Sequence, residues 1–258
     1  MMAASPRTPL PTTDILGVNV GAINMDMAVE TVERWIQDGE QHYVIVCNVH
    51  LIMEAQDDPA FRDLLNGAGM ITPDGMPLVW LQKRGPYRDQ VSRVCGFDLM
   101  ESFLERSQTT GHRHFFYGGA PGVAETVAAR FAERFPDARI AGFHTPGKLA
   151  IGEMESDAVI DSINGTNPDI VWVGLGAPKQ ERWMRDHMTL LSASGIFGVG
   201  AAFDFHANTT QRAPLWMQRS GLEWAFRISQ DPKRLAQRYA TTNGAFALGL
   251  LKNVYVRR

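Results

Sequence analysis

The sequence predicts an α/β fold: a mostly parallel sheet covered by helices, followed by a basic, helical C-terminal appendage. Three observations carry this. Short apolar runs alternate with amphipathic stretches along most of the chain, as in repeated strand–loop–helix units. Glycine-rich loops follow several of those runs. Composition then changes near residues 208–212, where basic and aromatic residues take over.

In order, residues 43–47 form a β-type run, 59–66 a helix and 69–72 a strand, followed by an amphipathic stretch over 76–84. Residues 96–107 have helical spacing, and 114–117 read as a strand. Gly118-Gly119-Ala120-Pro121-Gly122 then leads into a helix over 123–135. A strand over 139–142, a helix over 157–164 and a strand over 170–173 come next. The loop 174–178 opens a helix over 179–187, because Pro178 suits a first helical turn, and 196–199 is the last strand. Beyond it, helix-forming segments carry Trp216, Trp224, Phe226 and Tyr239, with Pro214 and Pro232 as breaks. The expected organisation is a loose tail over 1–13, an α/β domain over 14–208 and the appendage over 209–258.

The 258 residues suffice for one large α/β domain plus an appendage, and a 45% hydrophobic share supports a real core. Two cysteines, Cys47 and Cys95, argue against a disulfide framework and for a reducing compartment. No apolar run approaches the roughly 18–20 residues that span a bilayer, and the N-terminal residues lack the apolar core of a secretory signal. Charge is uneven. From Arg212 onward stand nine of the 25 Lys and Arg but only two of the 28 acids, Glu223 and Asp231. That appendage is expected either to meet an anionic partner, such as phosphate, a lipid headgroup or nucleic acid, or to dock on the acidic body.

Ligands of open α/β sheets bind beyond the carboxyl ends of the strands. Gly118, Gly119 and Gly122 allow close approach of a phosphate to backbone N–H groups, or are simply turn residues. Gly174 opens a second loop whose Lys179, Gln180 and Glu181 would crowd the mouth of a site for sugar or phosphate. Asp204, after the last strand, binds a ribose or sugar hydroxyl, caps a helix, or pairs with a basic residue of the appendage. Asp74, at a strand end in Thr72-Pro73-Asp74-Gly75, and Asn48, just past another strand, would face the same crevice. Both types also serve as plain turn or cap residues. The chain has no Asp-x-Asp tripeptide, no P-loop, no G-x-S-x-G elbow and no H-E-x-x-H. Metal catalysis, ATP hydrolysis and serine hydrolysis lose ground accordingly.

These motifs together resemble the WecG/TagA/CpsF family of glycosyltransferases, from about residue 15 to about residue 239. The carriers are Val46-Cys47-Asn48-Val49-His50, Thr72-Pro73-Asp74-Gly75-Met76-Pro77, Arg93-Val94-Cys95-Gly96-Phe97-Asp98, Phe116-Tyr117-Gly118-Gly119-Ala120-Pro121-Gly122 and Gly174-Leu175-Gly176-Ala177-Pro178-Lys179-Gln180-Glu181-Arg182-Trp183. They continue in Gln211-Arg212-Ala213-Pro214-Leu215-Trp216-Met217, Ser220-Gly221-Leu222-Glu223-Trp224-Ala225-Phe226-Arg227 and Asp231-Pro232-Lys233-Arg234-Leu235-Ala236-Gln237-Arg238-Tyr239. The resemblance implies a Rossmann-like body with a basic appendage that closes the site and touches membrane. It implies a metal-independent, inverting transferase without cofactor, whose donor is a UDP-sugar and whose acceptor is a sugar on undecaprenyl diphosphate. The donors it implies are UDP-glucose, UDP-N-acetylmannosamine and the uronic acid of the latter. Asp74 maps to the proposed general base, Asn48 and Gln180 to matching polar positions, and Arg93 lies in one of the shared motifs. Arg212, Arg219, Arg227, Arg234 and Arg238 would include the residues that hold the diphosphate. One departure is Val46, where the family often has threonine.

The resemblance also implies a peripheral place at the inner face of a bacterial cell membrane, with no nucleic-acid partner, and leaves self-association open. Two rival classes are a nicotinamide oxidoreductase and a non-enzymatic lipid- or nucleic-acid-binding module. The first lacks the G-x-G-x-x-G fingerprint and a spaced acid. The second leaves the Asp74 and Gln180 crevice unexplained.

Overall fold

The computed structural model describes residues 9–147 and 149–256; within the last helix, the side chains of Arg234, Arg238 and residues 253–256 lie outside the described ones. The chain enters through a hairpin, β1 (Thr12–Ile15) and β2 (Val18–Gly21), paired antiparallel. Leu16 and Gly17 both have positive φ, 52° and 82°, as a two-residue loop of this hand requires. Thr12 and Thr13 are therefore strand residues, and the expected tail is shorter at its inner end; residues 1–8 lie outside the described ones.

Next come α1 (Met25–Asp38), β3 (His42–Cys47), α2 (Val49–Asp57), α3 (Pro59–Asn66), β4 (Met70–Pro73) and α4 (Met76–Gln82). The second half begins with α5 (Gly96–Thr110), β5 (Arg113–Gly118), α6 (Val123–Arg134), β6 (Arg139–His144) and α7 (Asp157–Gly165). It closes with β7 (Ile170–Gly174), α8 (Lys179–His187), β8 (Gly195–Gly198) and α9 (Ala202–His206). The strands β3 to β8 form one six-stranded sheet in the order β4-β3-β8-β7-β5-β6, every pair parallel. The predicted α/β class with its parallel sheet is the observed one.

Alternation along each strand sends side chains to two cores. Tyr43, Ile45 and Cys47 of β3, with Val171 and Val173 of β7, pack on one face with Leu51, Ile52, Phe61 and Met184. Val44 and Val46, with Ile170 and Trp172, pack on the other with Val32, Phe103 and Phe131. Because both faces are covered, ligand access is left to the strand ends.

Two features were not read from the sequence in addition to the hairpin. α1 is capped by the Asn24 side chain, which accepts from the Met27 N–H at 3.0 Å, and it ends at Gly39 with φ 68°. α2 begins directly after β3, where Asn48 turns the chain.

The appendage is helical: α10 (Leu215–Arg219), α11 (Glu223–Gln230) and α12 (Pro232–Val256). It lies against the body, since Phe246 of α12 is buried in the core that contains Leu51 and Ile52 of α2. Among the described residues, no helix is long and apolar enough to cross a membrane.

Candidate active site

The carboxyl ends of β3, β4, β7 and β8 open into one cleft of about 1350 Å³, walled on the far side by α11 and α12. It is larger than the roughly 300–1,000 Å³ of a typical small-molecule pocket.

Asp74 stands at its floor, one residue past β4, and its own N–H donates to the Cys47 carbonyl at 2.9 Å. Its Oδ1 accepts from Arg93 Nη2 at 3.0 Å and from Nε at 3.3 Å, and its carbonyl accepts from the same Nε at 2.6 Å. The Asp74 side chain is 23% exposed. Burial raises its pKa above the ordinary carboxylate value, Arg93 opposes that, and Glu223 adds to it.

Asn48 lines the cleft and caps α2: its Oδ1 accepts from the N–H groups of His50, at 3.0 Å, and Leu51, at 3.3 Å. The cap and the cleft position coexist.

Gln180 and Glu181 form a buried polar pair on α8. Gln180 Oε1 accepts from the Gly176 N–H at 3.1 Å, and its Nε2 donates to Glu181 Oε1 at 2.9 Å. Glu181 is fully buried and its Oε2 has no hydrogen-bond partner among the described residues. Desolvation pushes its pKa up to about 7, against the hydrogen bond from Gln180.

The glycines divide. Gly119 and Gly174 line the cleft. Gly118, with φ 115°, lies so close to the Gly174 backbone that a Cβ would sit 2.8 Å from its carbonyl carbon. Its role is to let β5 and β7 end together. Gly122 precedes α6 and faces a separate small hollow with Phe143 and His144.

Asp204 is in the first turn of α9 and lines the cleft; its carbonyl accepts from the N–H groups of Thr209, at 3.0 Å, and Thr210, at 3.3 Å, where the chain leaves for the appendage. Arg212 and Arg227 also line the cleft, whereas Arg219 is exposed at the end of α10 and does not. The Arg234 and Arg238 side chains lie outside the described ones. Arg212 Nη1 donates to Asp98 Oδ1 at 2.7 Å. Burial raises the Asp98 pKa, but bonds from Arg212 and the Cys95 thiol bring it below the ordinary value.

Glu223 is a cleft residue that had no role from the sequence, and its Oε2 lies 2.8 Å from Arg93 Nη2. A signal for it existed, since it is one of only two acids in a strongly basic segment. Among the described residues, no three His, Cys, Asp or Glu side chains converge as a metal site would require.

A parallel sheet whose strand ends present an arginine-held carboxylate to a wide cleft bounded by the helices of the appendage is the frame of an α/β enzyme. The sequence model described as the glycosyl transferase WecG/TagA/CpsF family matches residues 13–258, and the chain belongs to that family. An N-acetylglucosaminyldiphosphoundecaprenol N-acetyl-β-D-mannosaminyltransferase of Bacillus spizizenii is 30% identical over 200 residues, 78% of this chain and 76% of that protein. A protein of the same name from Staphylococcus aureus is 26% identical over 238 residues, 92% of this chain and 91% of its own length. A solved arylmalonate decarboxylase structure overlays with a TM-score of 0.24 at 13% identity, over 74% of this chain and 79% of that one. The protein is thus a glycosyltransferase, an enzyme of the hexosyltransferase type.

Proposed function

We propose that the protein moves a sugar from a UDP-sugar to a saccharide on undecaprenyl diphosphate, with inversion and without a metal ion, in synthesis of a bacterial surface polymer or exopolysaccharide. The observation that carries this is Asp74, held by Arg93 where the strand ends meet. The names of the relatives support the lipid-diphosphate acceptor and N-acetylmannosamine as the sugar moved; with a UDP donor, UDP-N-acetylmannosamine then comes first, ahead of its uronic acid and UDP-glucose.

In the reaction, the acceptor hydroxyl oxygen attacks the anomeric carbon from the face opposite the diphosphate. The new C–O bond forms as the bond to the diphosphate breaks, its electron pair leaving with UDP. The hydroxyl proton passes to the Asp74 carboxylate. A raised pKa makes Asp74 a stronger base than a free aspartate. Arg212 and Arg227 at the cleft wall are suited to the leaving diphosphate, because a planar guanidinium pairs with phosphate oxygens on two fronts. Asn48, Gln180, Glu181 and Asp204, with Gly119 and Gly174, supply hydrogen-bonding groups for the sugar and the nucleotide.

The acceptor's lipid places the enzyme at a membrane surface, which we take to be the inner face of the cell membrane. Leu215 and Trp216, 65% and 63% exposed on α10 beside Arg219, have the apolar-plus-basic character of a peripheral contact.

The test is UDP release from a panel of UDP-sugars with a short-chain prenyl-diphosphate-sugar acceptor, in EDTA. Acceptor-dependent release from one donor is expected. No release from any donor, with UDP binding also absent by calorimetry, overturns the reading.

A further inference from the structure

Glu223 poses an electrostatic problem. It sits at the start of α11, in a segment where nine Lys and Arg outnumber two acids, and lines the same cleft. A carboxylate there repels any diphosphate the cleft accepts. Its position explains the exception. Arg93 Nη2 is shared: it donates to Asp74 Oδ1 at 3.0 Å on the body and forms an ion pair with Glu223 Oε2, 2.8 Å away on the appendage, to which it makes no hydrogen bond. Both members of the second pair are mostly buried, at 19% and 18% exposed. The Arg93 Nε, meanwhile, is committed to the Asp74 carbonyl at 2.6 Å.

We propose that Glu223 is a positioning residue for the transfer step: docked by the appendage against Arg93, it takes a share of the guanidinium that would otherwise be wholly engaged by Asp74. This rests on the reading of Asp74 as the base. Without Glu223, Arg93 would stabilise the Asp74 carboxylate more fully and make it a weaker proton acceptor. The charge balance at Asp74 agrees, since Glu223 pushes its pKa upward while Arg93 and Arg227 pull it down. The thiols of Cys47 and Cys95 also lie near Asp74, and burial holds both well above the ordinary thiol value, so they stay neutral. Arg93 and Glu223 thereby tie the state of the base to closure of the appendage, and an open appendage leaves the base weak.

The experiment compares Glu223→Gln and Glu223→Asp with the unaltered enzyme in the full chain. It records kcat, donor KM, the pH profile of kcat and UDP affinity by calorimetry. For Glu223→Gln, kcat falls several-fold, as the rate follows the strength of the general base. UDP affinity and donor KM stay within about twofold, since only a transition-state interaction is lost. The acid limb of the kcat profile moves to lower pH, because removing a negative charge lowers the Asp74 pKa. Glu223→Asp keeps the charge and so keeps the limb in place. The proposal is overturned if Glu223→Gln has unaltered kcat and an unmoved limb, or if kcat falls with the limb unmoved. It is equally overturned if UDP affinity or the melting transition is lost, which would make Glu223 a donor-binding or folding residue. A fully active Asp74→Asn enzyme would sink the base itself; an inactive one beside a normal Glu223→Gln enzyme would sink only the role of Glu223.

Discussion

Arg212 lies 4.1 Å over the ring of Phe97 while its Nη1 donates to Asp98 at 2.7 Å. Phe97 in turn stacks on His206 at 3.8 Å between ring centres, so three residues from the body and the root of the appendage form one pile. The pile fixes where the chain turns from α9 towards α10. His206 accepts its place as a neutral ring: burial drives its pKa down to about 4. A protonated His206 would face the Arg212 charge.

Replacing Arg212 by Ala should loosen that root. Stacking of this kind contributes about 0.5–2 kcal/mol, and the ion pair with Asp98 goes with it. We expect proteolytic cleavage within 209–214 to rise several-fold, as a less protected segment opens more often, with transfer falling in parallel. Cleavage at the unaltered rate in the Ala variant would show that other contacts hold the appendage.

Asp74→Asn should lower kcat by about 10²–10⁴-fold, the usual contribution of a positioned general base, while UDP still binds in calorimetry. In the unaltered enzyme, kcat should rise with pH through the Asp74 pKa. Because that pKa is raised, the acid limb should lie above the ordinary carboxylate value of about 3.9. A limb at or below that value would contradict the burial seen at the cleft floor.

Glu181 gives a stability prediction with a definite sign. Its folded pKa, about 7, lies above its ordinary value of 4.5, so the folded state holds the proton more tightly than the unfolded one. Stability is therefore lost as pH rises from about 4.5 through about 7, and the full penalty stands above that window. Glu181→Gln removes the charge and keeps the shape. It should stabilise the protein by up to roughly 3 kcal/mol at pH 8 and by little at pH 4. Equal urea midpoints for the two proteins at pH 8 would refute the buried ionisable state.

Gly118→Ala should be severely destabilising. The added Cβ would meet the Gly174 backbone at 2.8 Å, and φ 115° is unfavourable for any side chain. Overpacking alone costs about 1–3 kcal/mol, and here the neighbour is main chain that cannot turn away. Gly122→Ala is the control, because the space beside Gly122 is open, although its φ of 81° carries a cost of its own. Similar urea midpoints for the two variants would show that the close approach of β5 and β7 is not what demands glycine.

Much of this was legible in the chain, and the unread parts have physical causes. Residues 59–66 begin on a proline and 179–187 follow one, both carry helical spacing, and both fold as read. The hairpin was hidden because its turn is Leu16-Gly17, without the Asn-Gly or Asp-Gly pair that marks such loops. The start of α2 was hidden because Val49 and Leu51 continue the apolar run of β3, and a short apolar run does not tell strand from helix. At the site, Asp74, Asn48 and Gln180 were legible as polar residues at strand ends.

The sequence by itself determined the α/β class, the alternation of strands and helices, the basic appendage and, through its motifs, the family. These depend on local periodicity and on residue types at short spacing. Only the tertiary structure decided which side chains share the cleft. Arg212 and Arg227 reach it and Arg219 does not, and Asp74 meets Glu223 across a single guanidinium. Those relations join residues far apart in the chain, and they follow from how the strand ends align and where α11 and α12 dock. No local pattern encodes that geometry.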